Sequence, residues 1–459
     1  MLGVSMNLFP SHRLDLIIKY LYFKRPDLVA FKGDETVNIY ERMYKQHIMQ
    51  RTGAQEKATS KEKDLGLKDK TSIEDYITRA EELKSSMLKE GFKKEHEVSV
   101  YECGAPLNGA HRIACAKALG IDPVYKVVKG KGLKWDFYEL SGFLDMDCML
   151  AIMHEWARLN SHRSTFLVSW NPAQEEQLFK ELDKKNINVV YSGYAHTLLE
   201  GEEGLRDLAF RLYAPEEAVF KHVIEEKAKD LIREGNSNIA IKCYLLEDRD
   251  PKINILDYAD DFKEELRAKI KGRSIPSNNK NGIHMASNVN DNLWAAGVFL
   301  NRTSILRTFL MYNTRTLPSE TLNKWLVKLS KVLRDSGINR EDVCIVGSSV
   351  LDGFGLREST DIDLIVHSKL RPKFGDGNSK LDTFVDIART GYHKIHKDIR
   401  LHRSAQKDDY LIEDPNLHYR YWGFKFAHPN VCIDRKREQG RPKDLKDVKA
   451  MDALLKKMG

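Results

Sequence analysis

Apolar and polar positions follow two periods along the chain, and the periods trade places repeatedly. Apolar residues from Ile73 to Leu88 recur at helical spacing, and a short alternating run follows from Glu97 to Glu102. Ala110 to Leu119 reads as a helix stopped by Gly120, and Val124 to Val128 as a strand. Further on, Thr165 to Trp170 predicts a strand, Gln174 to Lys184 a helix, and Asn188 to Tyr191 a strand. Pro215 to Glu234 predicts a long helix with its proline in the first turn, where the missing amide hydrogen costs little. Ile239 to Leu246 is an expected strand, Asn292 to Phe299 and Leu322 to Ser336 are expected helices, and Val343 to Val346 is a continuous apolar strand. Interleaving of this kind predicts a multidomain chain of α/β and α+β modules. Polar stretches at residues 51–72, 271–281 and 371–380 interrupt the pattern and read as long loops or linkers. The expected division is residues 1–160, 161–312 and 313–459.

Composition adds limits to this picture. Apolar residues make up 42% and charged residues 31% of 459 residues, the balance of a globular chain. The formal charge of +7 suits a phosphate-bearing ligand, but it is small for a dedicated nucleic-acid binder of this length. No apolar run is long enough for a membrane span, and charges from His12 onward make a poor signal peptide. The six cysteines show no paired spacing, so they read as reduced thiols of a cytoplasmic protein rather than zinc ligands.

The sharpest chemistry lies in residues 343–366 (VCIVGSSVLDGFGLRESTDIDLIV). A buried strand ends in Gly347-Ser348, where the backbone can approach a phosphate and a hydroxyl can donate to it. A second apolar strand opens with Asp361 and Asp363, and alternation puts both carboxylates on one face. Oxygen ligands on a rigid edge beside a phosphate cradle suit magnesium (or manganese) whose shell is completed by substrate phosphates. The segment resembles the polymerase-beta-like nucleotidyltransferase superfamily, whose signature is Gly-Ser, a spacer of about a dozen residues, and Asp-x-Asp in an apolar strand. Here twelve residues separate Ser348 from Asp361. The resemblance implies a nucleotidyltransferase fold. It assigns the triphosphate to Gly347 and Ser348, the metal to Asp361 and Asp363, and a third catalytic carboxylate to Asp398, with Asp386 as its rival. The segments 416–426 and 436–446 are basic and aromatic, and are read either as contacts to a base or phosphate or as a hydrophobic prop with a solvated basic face.

In residues 97–120 a strand runs into Asn108-Gly109, and a helix opens at Ala110. Free amides at that helix start favour an anion, with His111 and Arg112 as further donors. The stretch resembles the ParB/sulfiredoxin-like superfamily, and the resemblance implies nucleotide binding by Asn108, Gly109, His111 and Arg112. Asn108 stands where the kinase members carry an acidic residue, and the sulfiredoxin cysteine is replaced. The middle module, from Thr165 to residue 290, resembles a nucleoside-diphosphate kinase of ferredoxin-like fold. His284, after Asn281, occupies the phosphohistidine position. Trp170 and Ala295 replace the family's phosphate lysine and supporting glutamate, so a degenerate structural or sensing module is favoured over phosphorylation of His284.

Two functions are in contention. The first is magnesium-dependent transfer of a nucleoside monophosphate from ATP or another nucleoside triphosphate. The acceptor is a small molecule, sugar phosphate or protein, and the reaction is coupled to the kinase-like first module. The alternative is a nucleotide-sensing ParB-like regulatory protein whose last domain is inactive. Nucleic acid is a less favoured partner, since no helix-turn-helix or concentrated basic helix is evident.

Overall fold

A computed structural model describes residues 7–24, 39–52, 72–130, 132–169, 175–194, 208, 211–213, 241–270, 283–305, 307–308, 316, 318–373, 379–382, 385–387 and 408–456. The chain is a mixed α/β molecule of several sheets and many helices. It divides into two compact units: residues 1–163 with 247–254, and residues 164–246 with 255–459. The first expected boundary, near 160, lies close to Arg163, whereas the expected break at 312/313 falls inside the second unit. The predicted helix Pro215–Glu234 lies outside the described residues.

In the first unit, strands β1 (Val98–Tyr101) and β2 (Tyr125–Val128) pair in parallel, with the helix Ala110–Ala118 between them in sequence. The helix Ile73–Glu90 starts on a full capping box. Ser72 accepts from the Asp75 amide, and the Asp75 side chain accepts from the Ser72 amide. The helix Asp15–Lys24 packs along Ala110–Ala118 and is buried almost throughout, charges included. Burial is possible because Asp15 accepts from Arg13 at 2.7 Å and from Lys19 at 2.6 Å. Burial pushes Lys19 down, only partly offset by Asp15, to about 8. Burial works against the Asp15 carboxylate too, yet Lys19 and Arg13 outweigh it and hold that group well below its ordinary range.

The second unit contains two sheets. Strands β3 (Ser164–Ser169), β4 (Ile187–Tyr194), β5 (Lys242–Asp248) and β6 (Ile283–Met285) form the first, in the order β4-β5-β3-β6. Its core gathers Leu167, Leu178, Leu182, Tyr244, Leu246, Phe262 and Met285 beneath the helices Glu175–Lys184 and Ala259–Lys269.

The second sheet has six strands: β7 (Val343–Val346), β8 (Ile362–Val366), β9 (Ser379–Asp382), β10 (Val385–Ile387), β11 (His418–Tyr421) and β12 (Phe424–Ala427). Their order is β11-β12-β7-β8-β10-β9. All four residues of β7 are buried, as a strand covered on both faces requires. The helix Glu320–Asp335 lays Leu322, Leu326, Leu329 and Leu333 on this core at spacings of three and four. Asn301 crosses toward β11, donating to the Pro415 carbonyl at 2.8 Å and the His418 carbonyl at 3.0 Å. Arg420 makes a bidentate pair with Glu341 at 2.7 Å and lies over the Trp294 ring.

Candidate functional site

The turn that ends β7 sets the geometry. Gly347 has φ +71°, and a Cβ built on it would lie 2.3 Å from Asp363 Oδ2. Only glycine leaves the Asp363 carboxylate room against the backbone. The short helix Ser348–Asp352 follows, and Ser349 donates from its hydroxyl to the Asp361 carbonyl at 2.7 Å. That bond ties the start of β8 to the turn after β7. Antiparallel pairing does the same from the other side, setting Asp363 opposite Val346.

The twelve-residue spacer is organised by a buried carboxylate that the sequence reading passed over. Asp352 is 1% exposed. It accepts from the Ser319 amide and hydroxyl, each at 2.8 Å, and from the Ser359 amide and hydroxyl at 2.7 and 2.9 Å. Ser319 is also the N-cap of the helix Glu320–Asp335. One acid thus anchors a helix start, the end of Ser348–Asp352 and the approach to Asp361. Its only trace in the sequence is an acid placed between apolar Leu351 and Phe354.

Gly347, Ser348, Asp361 and Asp363 line one cavity of about 420 Å³. The size suits a single small ligand. Five cationic side chains share its wall: Arg357, Arg435, Lys436, Arg441 and Lys443. Four of them come from the helices Pro429–Gln439 and Pro442–Leu455 and the turn between. Lys436 donates to Asp447 at 2.7 Å and to Asp444 at 3.3 Å; Arg357 reaches Asp447 at 3.1 Å, and Arg441 pairs with Asp444. Burial opposes charge on Asp444, but the hydrogen bonds from Arg441 and Lys436 outweigh it and hold its carboxyl below the ordinary range. Cys432 joins the lining, with burial pushing its thiol up to about 12.

Of the two basic, aromatic segments, 436–446 supplies cavity lining and 416–426 does not. The latter is the hairpin β11–β12, with Tyr419, Tyr421, Phe424 and Phe426 in the core and Lys425 donating to the Glu341 carbonyl at 2.7 Å. It is the hydrophobic prop of the two readings.

Asp398 lies outside the described residues. Asp386 pairs in parallel register with Asp363, on the strand next to β8. Among the described residues no group of three or more His, Cys, Asp or Glu side chains is placed to hold a metal ion.

The other candidate residues are not brought to this cavity. In the first unit Asn108 is exposed and Gly109 is the N-cap of Ala110–Ala118. Arg112 donates to the His96 carbonyl at 2.7 Å, and His111 Nε2 lies 2.9 Å from the Tyr44 hydroxyl. His284, on β6, packs edge-to-face against Tyr213 with ring centroids 4.9 Å apart. Its expected neighbours Asn281 and Trp170 are outside the described residues. No helix among the described residues is long and apolar enough to cross a membrane.

Comparison of the chain with protein-family models, with curated proteins and with solved structures finds no match.

Proposed function

We propose that the chain is a nucleotidyltransferase that moves a nucleoside monophosphate from a nucleoside triphosphate to an acceptor, releasing pyrophosphate. The observation that carries this reading is the single cavity in which a glycine turn, two aspartates of one strand edge and five cations meet. Anionic phosphates favour the cations, and a divalent cation between phosphate and carboxylate oxygens favours the acids.

In this reading Ser348 and the backbone at Gly347 hold the triphosphate. Asp361 and Asp363 hold magnesium (or manganese), which when bound neutralises charge on the phosphates and orients the reacting oxygens. Asp386 is favoured over Asp398 as the third carboxylate, because its register beside Asp363 supports that role. Arg435 and Lys436 face the leaving pyrophosphate and stabilise the charge it gathers. Lys436, Arg357 and Arg441 are held in place by Asp444 and Asp447 before any ligand arrives, so little reorganisation of these three accompanies transfer.

Gly-Ser, spacer and Asp-x-Asp in adjacent strands support a nucleotidyltransferase fold. The order β4-β5-β3-β6 supports a ferredoxin-like module, with His284 as a packing residue rather than a phosphorylated one. In the first unit, nucleotide contact is proposed for Asn108, the Gly109 turn, His111 and Arg112, with His111 held against the Tyr44 hydroxyl and Arg112 against the His96 carbonyl.

The test is magnesium-dependent release of pyrophosphate from each nucleoside triphosphate in the presence of a panel of acceptors. Asp361→Ala and Asp363→Ala should each lower the rate about a hundredfold or more without lowering Tm. Full activity in either variant sinks the assignment.

A further inference from the structure

The basic wall is longer than a triphosphate needs. The helix Pro429–Gln439 begins its contribution at Cys432, which lines the cavity together with Gly347 and Asp363. Arg435 and Lys436 follow one turn later and Gln439 two turns later, all lining the same cavity. The seven residues from Cys432 to Gln439 advance about 10 Å along the helix axis. Arg441 and Lys443 lie beyond Gln439, after the turn at Gly440. A triphosphate is shorter than this from first to last phosphorus, so one seated at Gly347-Ser348 does not need the whole of the wall.

Lys436 is buried and shares Asp444 and Asp447 with Arg441 and Arg357. Two carboxylates for these three cations leave the cluster positive. Lys443 adds another exposed ammonium at its outer end.

We propose that this outer end, Gln439, Arg441 and Lys443, is a second anion site, and that it holds a phosphate carried by the acceptor. The acceptor is then a small phosphomonoester such as a sugar phosphate, fixed by its phosphate so that another of its oxygens faces the α-phosphorus. Arg441 pairs with Asp444 and donates from Nη2 to the Gln439 side-chain oxygen at 2.7 Å, so the donors left to a phosphate dianion are the rest of that guanidinium, the Lys443 ammonium and the Gln439 amide nitrogen. Convergence of these groups on one end of a bounded cavity favours a small acceptor over a polymer, which would need a basic stripe outside it. This inference rests on the nucleotidyl-transfer reading of the inner end.

Calorimetric titration of the full chain tests it, with inorganic phosphate and glucose 1-phosphate as probes. Each is titrated alone and with saturating magnesium and a non-hydrolysable α,β-methylene triphosphate. Both probes should bind alongside the triphosphate analogue. Lys443→Ala should weaken the probes about fivefold, leave the analogue unchanged, and be rescued by Lys443→Arg. Probes that compete with the analogue, or a Lys443→Ala that weakens both equally, would give the whole wall to the triphosphate and overturn the proposal. A 5′-phosphorylated oligonucleotide that binds tighter than glucose 1-phosphate would overturn the choice of a small acceptor. Failure of the analogue to bind would remove the nucleotidyl-transfer reading. The anion site would then stand on whether Lys443→Ala still weakens phosphate alone, and would fall if it does not.

Discussion

At the scale of single residues, Gly347 carries the most specific demand in the site. Its φ of +71° costs any other L-residue, and the space a Cβ would take is filled by the Asp363 carboxylate. These two costs can be separated, because Gly337 also has a positive φ, +63°, yet meets nothing within 4 Å. Gly337→Ala should therefore cost about 1 kcal/mol of stability and leave nucleotide binding untouched. Gly347→Ala should cost about 2 kcal/mol or more and abolish binding of a magnesium–triphosphate, since Asp363 must move off the metal position. Denaturant midpoints and calorimetry on the two variants compare the terms directly. Equal binding by both would show that the turn does not approach the phosphates. The acids and the glycine were readable from the chain because their chemistry is local: a turn, a strand start and a fixed spacer. Lys436, Arg441 and Lys443 were readable only as a basic segment, since nothing in it distinguishes a cavity wall from a solvated face, and Arg435 fell just outside that segment.

At the scale of elements, periodicity succeeded where one face or the whole of an element is apolar. Val343–Val346 matches its expected span, and the helices Ile73–Glu90, Ala110–Ala118 and Glu320–Asp335 lie within two residues of theirs at each end. It failed where charge is buried in pairs. The helix Asp15–Lys24 hides Asp15 and Lys19, and the hairpin β11–β12 hides Arg420 and Lys425 against Glu341. A linear reading assigns such residues to solvent, because the partner that makes burial possible is distant in sequence. The spacer between Ser348 and Asp361 is the same problem at the site itself. Its conformation depends on Asp352, held by Ser319 and Ser359. Asp352→Ala leaves four donors without their acceptor and should cost about 2–4 kcal/mol. Because Ser359 stands two residues before Asp361, pyrophosphate release should fall further than Tm alone explains. Assay at a temperature where the variant remains folded checks this. Full turnover by the folded variant would show that the spacer does not position Asp361.

At the scale of the whole molecule, the polar stretches suggested where the chain is interrupted but not which modules share a core. Residues 301 and 307 illustrate why. Asn301 bonds to carbonyls more than a hundred residues away, and Arg307 donates to the Gly353 carbonyl while lying over the Tyr421 ring. Such links join the four-stranded and six-stranded sheets into one compact unit, and no composition change along the chain announces them. Both apolar clusters of this unit, and every residue lining the cavity, fall within residues 164–459. A fragment of residues 164–459 should therefore unfold in one cooperative transition and bind the magnesium–triphosphate analogue with the affinity of the full chain. A fragment of residues 313–459 should not, because it loses Asn301 and Arg307, and with them the supports beneath Gly353 and β11. Thermal unfolding and calorimetry on both fragments distinguish the cases. Tight binding by the shorter fragment would make the middle sheet a mere passenger. Loss of binding in the longer one, while it stays folded, would mean that the first unit supplies part of the site.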